Sequence, residues 1–124
     1  MMLSSLLRRS GFLALGLALL IVATPAALAH AILVEASPAA GSTVGGPDVV
    51  VRLRFNSRID GARSRLALVQ PDRQERPVTL DPQQAPDRLT AKLAGIAPGA
   101  YRLRWQVLAA DGHITRGEVP FRVK

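Results

Sequence analysis

No cysteine occurs among the 124 residues of the chain. Disulfides, thiolate metal sites and thiol redox chemistry are excluded together. Methionine is confined to Met1 and Met2. Aromatic residues make up 4% of the chain; beyond Phe12 they are Phe55, Tyr101, Trp105 and Phe121. No run of aromatics interleaves with a basic patch, so nucleic-acid binding is not expected despite the net charge of +7. Long apolar runs are equally scarce. The single one covers 11–23 (GFLALGLALLIVA).

That run has a recognisable setting. Arg8-Arg9 precedes it, Thr24-Pro25 interrupts it, and Ala27-Leu28-Ala29 follows. A basic n-region, an apolar h-region and a small-x-small site form the pattern of a secretory signal peptide. A spanning helix wants roughly 20 apolar residues, more than this run supplies. The expectation is a signal peptide over residues 1–29, removed on export, and one domain over 30–124 that begins at His30. The Arg8-Arg9 pair raises the twin-arginine route, but Ser10-Gly11-Phe12-Leu13 fits that pattern loosely, and general secretory export is the expectation. Removing the leader removes both methionines, so the domain carries no sulfur. No second apolar stretch is long enough to span a membrane, and the exported domain is expected to be soluble.

From His30 onward the pattern is all-β. Val49, Val51, Leu53 and Phe55 alternate with Val50, Arg52 and Arg54, and Tyr101, Leu103, Trp105 and Val107 alternate with Arg102, Arg104 and Gln106, a period of two. Shorter runs lie at 32–35, 65–69, 78–80, 89–93 and 119–123. Turn residues separate them, among them Gly45-Gly46-Pro47-Asp48, Pro71-Asp72, Pro98-Gly99 and Asp111-Gly112. About seven short strands so punctuated predict a β-sandwich or small barrel. Pro120 inside the last run predicts an edge strand or a bulge there. The arginines at alternate strand positions read first as the wet face of a sheet. Attraction to a nearby membrane surface through anionic lipid, or to an acidic partner, is the alternative.

Two histidines exist, His30 and His113. A lone loop histidine is usually a plain surface residue. A histidine at a freed amino terminus differs, because its α-amine and imidazole can close a chelate ring on one metal ion. His113 would add a second imidazole, giving the three-nitrogen arrangement called a histidine brace. Such tetragonal nitrogen and oxygen coordination suits Cu(II), which also heads the affinity order of the divalent first-row metals. Asp111 lies two residues before His113, which in an extended segment puts both side chains on one side. Its carboxylate is a further ligand or a partner that orients an imidazole. Gly112 permits a tight turn, and Asp-Gly is also an ordinary hairpin signal.

The chain resembles the CopC family of periplasmic copper-binding proteins. The resemblance rests on His30-Ala31-Ile32-Leu33 running to Ser37-Pro38 and Gly41-Ser42, on Pro98-Gly99-Ala100-Tyr101-Arg102-Leu103-Arg104-Trp105, and on Asp111-Gly112-His113 followed by Gly117 and Phe121-Arg122-Val123. It implies an immunoglobulin-like Greek-key sandwich and a periplasmic Cu(II) site of one ion per chain. In that site His30 supplies amine and imidazole, His113 the second imidazole, and Asp111 the carboxylate. It implies a role in copper homeostasis or resistance, with a CopD-type membrane copper transporter as a partner. Three departures stand out. A methionine-rich Cu(I) site is missing. Asn56-Ser57-Arg58 stands where some members have a glutamate ligand, shortly after the strand that ends at Phe55, and Ile114 stands where proline is frequent.

The expected function is that of a copper carrier or buffer and not of an enzyme. Histidine-brace monooxygenases are the enzymatic alternative, but they are usually larger and often present an aromatic face. A metal-free interaction sandwich is the third reading.

Overall fold

The computed structural model describes residues 30–124. The leader expected over 1–29 lies outside the described residues. Eight strands form: β1 (Leu33–Ser37), β2 (Ser42–Val44), β3 (Val49–Phe55), β4 (Ile59–Val69), β5 (Glu75–Val78), β6 (Arg88–Leu93), β7 (Gly99–Ala109) and β8 (Ile114–Val123). They make a three-stranded sheet, β1-β3-β6, and a five-stranded sheet, β2-β8-β7-β4-β5. The chain crosses between the sheets repeatedly, as an immunoglobulin-like sandwich requires.

Alternation explains the layers. On β3, Val49, Val51, Leu53 and Phe55 are buried; on β7, so are Tyr101, Leu103, Trp105 and Val107. These inner faces meet with Leu66, Leu68, Leu89, Leu93, Val119, Phe121 and Val123 in one core. Phe55 and Trp105 pack edge to face, with ring centroids 5.2 Å apart, an arrangement favoured by the ring quadrupoles. The Tyr101 hydroxyl donates to the Ala97 carbonyl at 2.6 Å. This is the tyrosine-corner contact, which ties a strand start to the turn before it in Greek-key sandwiches.

Several boundaries differ from expectation. The short β2 carries little apolar pattern, and its pairing with β8 is parallel. The run expected at 78–80 is divided: Val78 ends β5 in the larger sheet, while Leu80 bridges to Ala91 in the smaller one. The chain changes sheets between them. Pro120 is not on an edge strand, because β8 lies between β2 and β7. Nor does a bulge mark it, for the β7–β8 register runs unbroken from Gly99↔Val123 to Leu108↔Ile114. The Pro120 carbonyl accepts from the Gly41 amide at 2.7 Å. Within a strand, the N and C=O of one residue point to the same side. The missing donor therefore faces β2, whose pairing begins only at Ser42↔Phe121, and no β7–β8 bond is lost.

Candidate metal centre

Three pieces of chain meet at one end of the sandwich: the segment entering β1, the loop leaving β3, and the β7–β8 turn. The turn is built by Asp111. Its Oδ1 accepts from the His113 amide at 3.0 Å, an Asx-turn in which the side chain mimics a backbone carbonyl. The Gly112 amide donates to the Ala109 carbonyl at 2.9 Å, and the Ala109 amide to the His113 carbonyl at 2.8 Å. Gly112 adopts φ 86°, the left-handed region that glycine enters without steric cost. Asp111 and His113 thus share a side through a tight turn, and not through the extended segment expected from their spacing.

The same carboxylate grips the imidazole. Asp111 Oδ2 lies 2.6 Å from His113 Nδ1. With Asp111 ionised, this contact places the proton on Nδ1 and leaves a lone pair on Nε2. The Asp111 carboxyl is held below its ordinary value, first by the hydrogen bond from the His113 amide, then by the one from the His113 ring.

His30 is held from two sides by its neighbours. The Ile32 amide donates to Asn56 Oδ1 at 2.8 Å, and the Asn56 amide donates back to the Ile32 carbonyl at 3.0 Å. Thr115 Oγ1 donates to the Ala31 carbonyl at 2.8 Å, while the Ala31 side chain is buried in the core. The residues before β1 are therefore fastened to the β3 loop and to β8. The His30 and His113 rings meet edge to face with centroids 4.8 Å apart.

Of the three residues singled out from sequence, all come together. His30, Asp111 and His113 each offer a ligand atom, and these atoms lie within 4.8 Å of one another. Asp111 and His113 are exposed and His30 is half-buried, so the group opens to solvent. Two imidazoles and a carboxylate form a nitrogen and oxygen donor set of the kind that takes borderline divalent ions. Asn56 and Thr115 were not foreseen. Nothing in their local sequence shows that they bond to a segment far along the chain.

The fold and this cluster define a class: a small immunoglobulin-like sandwich with a histidine-rich group at one end. Residues 33–124 match the family model described as CopC domain, and the chain belongs to the CopC family. Among curated relatives, "Copper resistance protein C" of Xanthomonas campestris pv. juglandis is 29% identical over 111 residues, spanning 83% of this chain and 87% of its own length. "Protein YobA" of Escherichia coli K12 is 28% identical over 104 residues, or 82% of this chain and 84% of its own. Among solved structures, CopC from Methylosinus trichosporium OB3b superposes with a TM-score of 0.69 at 32% identity, covering 77% of this chain and 94% of that one. PcoC of Escherichia coli, described as a methionine-rich copper resistance protein, gives 0.59 at 25% identity, covering 77% and 99%.

Proposed function

We propose that this protein is an exported, periplasmic Cu(II) carrier or buffer serving copper resistance or homeostasis. Its cargo is one copper ion held at His30, His113 and Asp111. The observation that carries the proposal is the gathering of these side chains within 4.8 Å at the residue where the leader is expected to end. Family membership and relatives that bear copper resistance in their names support the same reading.

Each residue has a distinct part. Cleavage after Ala29 converts the His30 backbone nitrogen from an amide into an amine, adding a donor that the uncleaved chain lacks. His113 offers Nε2, because Asp111 occupies Nδ1. Asp111 orients that ring and supplies the carboxylate of the cluster. Unlike the methionine-rich PcoC, this domain has no thioether beyond residue 2, which restricts it to Cu(II). A CopD-type membrane transporter is the proposed recipient.

The test is copper titration of protein beginning at His30, followed by electron paramagnetic resonance. The expected result is one equivalent bound tightly, with a nitrogen-rich tetragonal signal that disappears in His113→Ala. An amino-terminal extension before His30 should weaken binding strongly, since the amine becomes an amide. Affinity should also fall with pH, because an α-amine of ordinary pKa about 7.7–8.0 and imidazoles of about 6.5 must lose protons to bind. Weak, non-stoichiometric binding, or equal affinity with and without the extension, would reduce the likeness to one of fold.

A further inference from the structure

Positive charge is not shared evenly between the two sheets. On the three-stranded side Arg52, Arg54, Arg88 and Lys92 are answered by Glu35, Asp48, Asp81 and Asp87. The excess lies on the five-stranded sheet and its loops. There Glu118 on β8 receives Arg102 at 3.1 Å and Arg104 at 2.7 Å, and Arg104 also pairs with Glu75. Among the described residues Arg73 and Arg122 make no ion pair. Both line one groove of about 450 Å³, together with Arg102. The groove lies where Ala100 pairs with Arg122, the end of the β7–β8 hairpin away from His113. No carboxylate lines it. Two other grooves differ: Glu35 lines one beside its arginines, and Asp60, Glu75 and Asp81 line the other.

The fold builds this groove from an apolar lining and a tight loop. Val69, Pro71, Ala100 and Pro120 line it. Val69 stands opposite Arg102 in the register, on the outer face. It is nevertheless 4% exposed, and it lies outside the main core cluster. The β4–β5 loop leans over this end: Pro71 Cγ is 2.9 Å from the position that a Cβ on Gly99 would take. Within that loop the Gln70 amide donates to the Gln74 carbonyl at 3.0 Å, and the Arg73 amide to the Gln70 carbonyl at 2.8 Å. The turn holds Arg73 at φ 69°, the one non-glycine residue with positive φ among the described residues. Glycine or asparagine suits that left-handed position, and a long side chain there strains the backbone. Such strain gathers at functional sites, where the surrounding structure holds it in place.

We propose that this groove binds a small organic oxyanion, a carboxylate or phosphate group carried on a small apolar body. Arg73, Arg102 and Arg122 would offer the oxygens paired hydrogen bonds from their guanidinium forks, which match carboxylate and phosphate geometry. The apolar lining would cover the body. The groove's volume falls within the range of ordinary small-ligand sites. It stands at the opposite end of the sheet from the histidines and needs no metal, so it is tested separately from copper binding.

The experiment is titration of the protein starting at His30, without added metal, with phenyl phosphate, benzoate, inorganic phosphate and benzyl alcohol, read from amide chemical shifts. Saturable shifts centred on Val69, Arg73, Ala100 and Arg122 are expected with phenyl phosphate or benzoate, and the tighter of the two identifies the anionic group. Inorganic phosphate should bind on the order of tenfold more weakly, because it leaves the apolar lining uncovered. Benzyl alcohol, which lacks the charge, should not bind. Arg73→Gly keeps the turn and removes the guanidinium, and it should weaken binding on the order of tenfold. Arg122→Ser should do the same, whereas Arg52→Ser, on the other sheet, should bind like the parent. Urea midpoints check that the variants fold, and the comparison of probes on the parent needs no variant. The absence of saturable shifts at millimolar phenyl phosphate and benzoate would overturn the proposal. So would inorganic phosphate binding as tightly as phenyl phosphate, or affinity undiminished in Arg73→Gly and Arg122→Ser, since attraction would then follow overall charge and not this groove.

Discussion

Asn56 and Thr115 hydrogen-bond to the segment that carries His30, a ligand in the proposed copper site. Asn56 exchanges two hydrogen bonds with Ile32, and Thr115 holds the Ala31 carbonyl. An amino-terminal residue is otherwise the least ordered part of a domain. A chelating terminus held in place loses less freedom on binding than a mobile one. Asn56→Ala and Thr115→Val are therefore expected to weaken copper binding several-fold while leaving its stoichiometry and nitrogen-rich signal intact, with stability reduced by about 1 kcal/mol each. Titration and urea denaturation separate the two effects. Affinities equal to the parent's would show that the terminus needs no fastening. Asp111 belongs to this scale too, since one side chain shapes the turn through Oδ1 and orients the ring through Oδ2. Asp111→Asn keeps much of that shape but removes the charge, and it should lower affinity more than stability.

At the scale of the element, the β7–β8 hairpin joins the His30–Asp111–His113 cluster to the core. Trp105 stands opposite Gly117 in its register. A Cβ on Gly117 would lie 2.7 Å from Cε2 and 2.9 Å from Nε1 of the indole, closer than side chains pack. Trp105 is buried against Phe55 and cannot simply swing away. Gly117→Ala is expected to cost about 1–3 kcal/mol, as overpacked cores do, read as a lower urea midpoint by circular dichroism. An unchanged midpoint would mean that the indole is free to move. This close approach gives a physical reason for the glycine that follows the Asp-Gly-His motif. The three-stranded sheet offers the complementary case, where opposed Arg54 and Arg88 are tolerated beside the rim carboxylates Glu35 and Asp87.

For the whole molecule, stability must come from the apolar core and the surface ion pairs, because neither cysteine nor internal methionine contributes. Glu118 is held below its ordinary value, chiefly by the hydrogen bond from Arg104, and Asp111 chiefly by the His113 amide. A carboxyl whose folded value is depressed stabilises the fold fully above its unfolded value, and loses that contribution as pH falls through the folded one. Stability should thus be flat from neutrality to about pH 5 and decline below it. Glu118→Gln should flatten that decline and lower stability at neutral pH, by an amount that shrinks in high salt. A urea midpoint followed against pH checks both. A decline unchanged in Glu118→Gln would assign it to other carboxyls.

The sequence by itself determined the fold class, because alternation of apolar and polar residues along strands follows from the pleat and needs no partner strand to be seen. It also marked His30, Asp111 and His113, since only two histidines exist and one stands at the expected cleavage point. Tertiary structure decided what depends on residues distant in the chain. Parallel pairing placed β2, and the crossing at Val78 and Leu80 divided one apolar run between two sheets. Pro120 was accommodated inside a sheet because its missing donor faces the side where pairing has not yet begun. Asn56 and Thr115 became fasteners of the amino-terminal segment only through contacts across the fold. The opposition of Arg54 and Arg88, too, followed only from the register between β3 and β6. Local pattern fixes which way a side chain points; which other side chain it meets is a property of the assembled sheets.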